Sequence, residues 1–228
     1  MAAPRAYGAG RLTRNAALCL ALLPGAALAE TVTVAALGDS LTAGYGLEPA
    51  NGFVPQLQAW LDERGADAHV VNAGVSGETT AGGLARVDWT LTPEVDALIV
   101  ALGGNDFLRG IDPAVSRENL DGILDRADAR GVEVLLVGID AGGNYGPEFE
   151  DAFDAMYPAL AAEHGALLAP DWFGALRDPG QPLSKTLAET MQPDGIHPNG
   201  RGVGLIVEEL GPLVLELVER ARDGEAAG

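Results

Sequence analysis

Four short stretches of this chain carry the side chains whose types and spacing suit chemistry. They are Gly38-Asp39-Ser40-Leu41, Asn72-Ala73-Gly74, Gly103-Gly104-Asn105-Asp106 and Asp194-Gly195-Ile196-His197-Pro198. A serine hydroxyl is a poor nucleophile until a base takes its proton, and histidine does this near neutral pH. The histidine needs a carboxylate that fixes its tautomer and stabilises its charged form. Asp194 and His197 are three positions apart, so one turn of backbone can bring carboxylate and imidazole together. A tetrahedral oxyanion needs donors set in place beforehand. The amides of Ser40 and Gly74 and the side-chain amide of Asn105 can supply three. The expected set is Ser40, Asp194 and His197 for catalysis, with Ser40, Gly74 and Asn105 as the oxyanion hole. Together they meet the requirements of acyl transfer.

Each block alone also has an ordinary reading. Gly-Asp-Ser can be a strand-ending turn in which Asp39 caps the segment after it. Gly-Gly-Asn-Asp suits a tight turn because Gly and Asn tolerate positive φ. The fourth block can be a turn with Asn199 capping the last helix. The combination, in this order and at the ends of predicted strands, favours chemistry. Asp39 and Asp106 are expected to hold their turns through side-chain to backbone hydrogen bonds. Gly74-Val75-Ser76-Gly77-Glu78 departs from a nucleophile elbow, since Glu78 replaces the last glycine.

The elements that must position these residues alternate in type. Predicted strands are 31–37, 68–72, 95–102, 132–139 and 166–169; predicted helices are 53–64, 79–91, 112–130, 148–164 and about 201–221. Pro212 is tolerated in the last helix only as a kink or break. Residues 170–198 are expected to be irregular, with one short helix. Such alternation implies right-handed crossovers and one α/β domain of three layers, a parallel sheet with helices on both faces. In sheets of this kind the site lies beyond the carboxyl ends of the strands. Trp60 and Trp89 lie on predicted helical faces and are expected in the core. His69 and His164 are expected to be structural.

The N-terminus reads as an export signal. Arg5, Arg11 and Arg14 precede an apolar run, 16–23, which is too short to span a bilayer. Pro24-Gly25 breaks any helix, and Ala27-Leu28-Ala29 supplies a small-x-small cleavage pattern. The expected organisation is a cleaved signal at 1–29 and a single domain at 30–228, exported to the periplasm or beyond, with no stable membrane anchor after cleavage. Cys19, the sole cysteine, lies within the signal, and Leu18 before it does not suit lipid attachment.

The whole chain has 228 residues and a net charge of −19; cleavage removes three arginines and no acidic residue, leaving −22. Such a surface repels nucleic acid and anionic lipid, and there is no Lys/Arg cluster to follow a phosphate backbone. A nucleic-acid partner is excluded, and nothing calls for an obligate protein partner. Three scattered histidines and a mature chain without cysteine predict no metal site. No phosphate-binding glycine motif follows the first strand, so no cofactor is expected.

GDSL around Ser40, Gly74 in NAGVSGETT, Asn105 in LGGND and DGIHPN around His197 resemble the four blocks of the SGNH (GDSL-type) hydrolase superfamily. The likeness runs from about Thr31 to Leu217. GDSLTAGYG, GGLAR, NDFLRG and NYGPEF are similar to motifs of secreted bacterial arylesterases and multifunctional thioesterase/lysophospholipases. The resemblance implies a flavodoxin-like fold with five parallel strands and the site roles given above. It also implies a mobile wall of an acyl groove at 107–112, with Phe107 and Leu108 facing substrate. The loop Asp140-Ala141-Gly142-Gly143 is smaller than in relatives, which predicts a wider groove near Ala141. The expected activity is hydrolysis of small aryl or acyl esters, thioesters or lysophospholipids through an acyl-enzyme. The rival readings are a carbohydrate O-deacetylase and a non-catalytic glycan-binding module.

Overall fold

Short apolar runs rich in β-branched residues form the sheet, because a strand covered on both faces needs apolar side chains in both directions. β1 (Val32–Gly38) and β3 (Ala97–Ala101) are such strands, buried along nearly their whole length. β2 (Ala68–Gly74), β4 (Glu133–Val137) and β5 (Leu167–Ala169) complete a sheet of five parallel strands in the order β2-β1-β3-β4-β5. This is the flavodoxin-like order, with its reversal between β1 and β3. The computed structural model describes residues 1–2, 31–177, 180 and 182–227. The expected signal segment, Cys19 included, lies outside the described residues apart from Met1 and Ala2.

The period of two along each strand divides the core into two halves. Val34, Ala36, Ile99 and Leu135 face one side, against α2 (Phe53–Glu63) and α8 (Gly200–Ala227). Ala35, Leu37, Leu98 and Val100 face the other, against α3 (Thr80–Thr90), α5 (Pro113–Asp128) and α6 (Pro147–His164). α5 starts as its sequence dictates: Asp112 accepts from the Ala114 amide, and Pro113 fills the first helical position.

One expectation is narrowed and two need correction. α8 does not break at Pro212. Val203, Ile206, Val207 and Leu210 before it, and Val214, Leu217, Val218 and Ala221 after it, are all buried on one face. At about 1.5–3 kcal/mol for each large side chain, that burial outweighs the proline's cost of about 3 kcal/mol. Trp89 is not in the core but 83% exposed, whereas Trp60 is buried and donates to Glu208. Two of the polar turns are short helices, α1 (Ser40–Ala43) and α4 (Gly104–Leu108); the short helix of the irregular segment is α7 (Leu183–Thr190).

His164, at the last turn of α6, ties that helix to α5. Its Nδ1 lies 2.6 Å from Asp128 and its Nε2 2.9 Å from Asp121. Both nitrogens can serve carboxylates only in the imidazolium form. Burial lowers the His164 pKa, but the bonds to Asp128 and Asp121 outweigh it and raise the pKa above the usual 6.5. The stabilisation is therefore complete below pH 6.5 and lost as pH rises through the higher folded value. Denaturant unfolding across that window should show wild type losing stability with rising pH, and His164→Gln should flatten the profile. An unchanged slope would remove this clamp.

Candidate active site

β1 delivers Ser40 through a constrained turn. A side chain at Gly38 would lie 2.1 Å from Thr42 Oγ1 and 2.9 Å from the Ala101 carbonyl, so only glycine passes there. Asp39 accepts from the Leu41 amide at 2.9 Å and thereby caps α1, placing Ser40 at its first position. The Ser40 amide has no intrahelical acceptor at that position.

His197 comes from the turn before α8. Asp194 Oδ1 accepts from the amides of Ile196 and His197, at 2.9 and 3.0 Å, so the aspartate side chain organises its own turn. Its Oδ2 meets His197 Nδ1 at 2.7 Å, and His197 Nε2 meets Ser40 Oγ at 2.8 Å. The Tyr45 ring lies against the imidazole, centroids 4.7 Å apart. The His197 backbone amide, then its ring, then the Ile196 amide hold the Asp194 carboxyl down at about 2. With Nδ1 facing a carboxylate, the neutral ring presents unprotonated Nε2 to the serine hydroxyl.

Asn105 stands in the first turn of α4, beyond β3. Its Nδ2 donates to Asp39 Oδ2 at 3.0 Å, which fixes which end of the amide faces the serine turn. Burial raises the Asp39 pKa against the hydrogen bonds from Leu41 and Asn105. Asp39 braces its own turn, whereas Asp106 ties α4 to α3 and α5 instead, accepting from the amide and hydroxyl of Thr80 and from Ser116. Gly74 is more withdrawn than its expected part. Its amide donates to Asn72 Oδ1 at 2.9 Å, and a Cβ there would meet the Ala43 nitrogen at 2.4 Å. Glycine at 74 lets the end of β2 lie against α1. Arg86 binds the same region together: its Nη2 donates to the carbonyls of Ala73 and Gly38, at 2.7 and 3.2 Å, and it pairs with Glu78.

Ser40, Asn105 and His197 open onto a cavity of about 630 Å³. Phe107 and Leu108 line it. Ala141 does not; it is 1% exposed within the core, its amide bonded to Asp154, and Asp140 faces the cavity in its place. Ser76 reaches the cavity, but no side-chain bond from it to a histidine occurs among the described residues. The sequence reading missed Tyr45, Arg86 and the α7 wall of Thr186, Leu187, Thr190 and Met191. The helical spacing of those last four was an available signal, and GDSLTAGYG and GGLAR contain Tyr45 and Arg86 without showing what either side chain touches. Among the described residues one grouping has metal-ligand spacing, Asp125, Asp128 and His164. It joins the far ends of α5 and α6, away from the serine, and both ring nitrogens already face carboxylates.

An open parallel sheet with a serine, a histidine and an aspartate in hydrogen-bonded series at its switch point defines a hydrolase of the serine type. Residues 36–205 match the GDSL-like Lipase/Acylhydrolase family. The chain is similar to "Esterase TesA" of Pseudomonas aeruginosa, 39% identical over 91% of this chain and 98% of that protein. It is 37% identical to "Thioesterase 1/protease 1/lysophospholipase L1" of Escherichia coli strain K12, over 83% and 87% of the two chains. The solved structure of AlinE4, described as an SGNH-hydrolase family esterase, superposes with a TM-score of 0.67 at 39% identity, over 82% of this chain and 96% of that one. The chain belongs to the GDSL-like lipase/acylhydrolase family and is an SGNH ester hydrolase.

The depressed carboxyl of Asp194 has a measurable consequence. Carboxyl-carbon NMR should place its titration near pH 2 in wild type. In His197→Ala, which removes the ring, the midpoint should climb toward 3.8. A midpoint near the ordinary value in wild type would contradict the hydrogen-bonded pair.

Proposed function

We propose that the protein hydrolyses small aryl or acyl carboxylic esters, and thioesters or lysophospholipids of matching shape, through an acyl-enzyme on Ser40. The observation that carries this is the Ser40 Oγ to His197 Nε2 contact of 2.8 Å, continued to Asp194 at 2.7 Å. His197 accepts the hydroxyl proton as Oγ attacks the carbonyl carbon, and Asp194 stabilises the imidazolium that forms. The carbonyl oxygen takes the negative charge and is met by the Ser40 amide and Asn105 Nδ2. The Gly74 amide joins them by exchanging Asn72 Oδ1 for the oxyanion. The imidazolium then protonates the leaving oxygen or sulfur, and water repeats the sequence to release the acid. Relatives bearing the names esterase, thioesterase and lysophospholipase support this substrate range.

A glycan-binding module would not need a base aligned on a serine hydroxyl. For an O-deacetylase the cavity is ill suited: Phe107, Leu108, Ile139, Leu187, Met191 and Ile196 make its walls apolar. We further propose that residues 1–29 direct export and are removed, leaving a periplasmic or secreted enzyme. The basic lead, the apolar run and the cleavage pattern support this reading. Among the described residues no helix is long and apolar enough to cross a membrane.

Ser40→Ala and His197→Ala should each lower kcat on p-nitrophenyl butyrate by several orders of magnitude, the double variant being little worse than either. A fluorophosphonate should label wild type and not Ser40→Ala. Most of the activity surviving in Ser40→Ala would sink the assignment. Asn105→Ala should cost about 100- to 1000-fold in kcat, the usual worth of one oxyanion donor. Net charge adds a salt test: kcat/KM at low ionic strength should favour neutral over anionic esters, and added salt should narrow the gap. Equal values at low salt would count against that steering.

A further inference from the structure

We propose that the salt-bridged pair Arg177–Asp140 is the end wall of the acyl groove and sets the longest straight acyl chain the enzyme accepts. This rests on the ester-hydrolase reading of Ser40. The direction of the groove follows from the sheet. Ser40 lies beyond β1, Asn105 beyond β3, Asp140 beyond β4 and Leu176 beyond β5, and all four line one cavity. The cavity therefore crosses three strand intervals, about 14 Å at the usual strand spacing, which is shorter than an extended palmitoyl chain.

Polarity along that path is uneven. At the near end stand the serine, the histidine, Asn105 and the Asp39 that holds it. Phe107 and Ile139 continue the wall without charge. The remaining charged residues of the lining are Asp140 and Arg177. Arg177 Nη1 lies 2.5 Å from Asp140 Oδ2, and its Nη2 lies 3.1 Å from Asp171 Oδ2. Asp171 Oδ1 also accepts from the Asp140 amide at 3.3 Å. The guanidinium thus spans from the loop after β4 to the loop after β5, and it also forms an ion pair with the Asp171 carboxylate, whose side chain is only 11% exposed.

An acyl chain growing along the apolar wall gains about fourfold in kcat/KM for each methylene taken from water. That gain ends where the chain meets two paired charges. Going further requires parting the pair or stripping its water, and neither is repaid by a methylene.

The test is kcat/KM on p-nitrophenyl esters from acetate to palmitate, each below its micelle concentration, for wild type, Arg177→Ala and Asp140→Asn. Wild type should rise with chain length and break before palmitate. Both variants should move the break to longer chains and raise the palmitate-to-butyrate ratio by about tenfold or more, the worth of roughly two methylenes. Two variants whose profiles superimpose on wild type would overturn the proposal while leaving the esterase reading intact. Absence of ester hydrolysis in wild type would instead fail that reading, and the end wall with it. Both altered side chains are substantially exposed, 54% and 41%, so the comparison does not depend on tolerance in the core.

Discussion

One hydrogen bond sets the demand on the rest of the molecule: the Ser40 hydroxyl must meet the His197 imidazole at 2.8 Å although 157 positions separate them in the chain. A contact of this kind fails with small displacements, so both ends must be held by something stiffer than a loop. Ser40 is held by the end of a strand buried along nearly its whole length and by the cap of α1. His197 is held by α8, whose buried face reaches from Val203 to Ala221. Between His197 and that helix stand only Pro198 and Asn199. The long helix on one face of the sheet is, in mechanical terms, the mount of His197.

The turn that carries His197 is closed on itself as well. Gln192 donates its amide to the His197 carbonyl at 2.7 Å, and Met191 bridges to Pro198. Gln192 also donates its side-chain amide to the carbonyls of Tyr45 and Pro198, which ties this turn to the segment just after Ser40. The two halves of the site are thus cross-linked by main-chain acceptors in addition to the contact between Ser40 and His197. Arg86 does the same between β1 and β2. The parallel sheet brings its polar turns to one rim for topological reasons; these few bonds turn proximity into alignment.

How much of this was legible in the sequence varied with the physics behind each feature. Strands such as 97–101 were legible because burial on both faces leaves an uninterrupted apolar run. That Ser40, His197 and Asp194 would converge was legible because acyl transfer demands those residue types. The break that Pro212 allowed did not occur because local propensity says nothing of the eight buried side chains that override it. Trp89 misled because a helical position does not reveal which face meets solvent. Ala141 and Asp140 exchanged roles because one residue of a loop decides which side chain turns inward. Gly74 carries both features: its place in the motif was visible, its amide's engagement with Asn72 was not.

The ordinary reading of the motif residues and the proposed functional one are compatible. Asp39 is a helix cap, as a strand-ending turn would suggest, and its other oxygen accepts from the Asn105 side-chain amide. Asn199 caps α8 through the amides of Arg201 and Gly202, and its side-chain nitrogen binds the carbonyls of Glu189 and Met191 at the end of the groove wall. Asp194 makes a common side-chain turn with one oxygen and holds the imidazole with the other. In each case a short polar side chain satisfies backbone groups that a buried turn would otherwise leave unpaired, at a cost of about 1–3 kcal/mol for each group. The bonds that make the turns stable are the bonds that make the site accurate, so a substitution at these positions disturbs fold and chemistry through the same atoms.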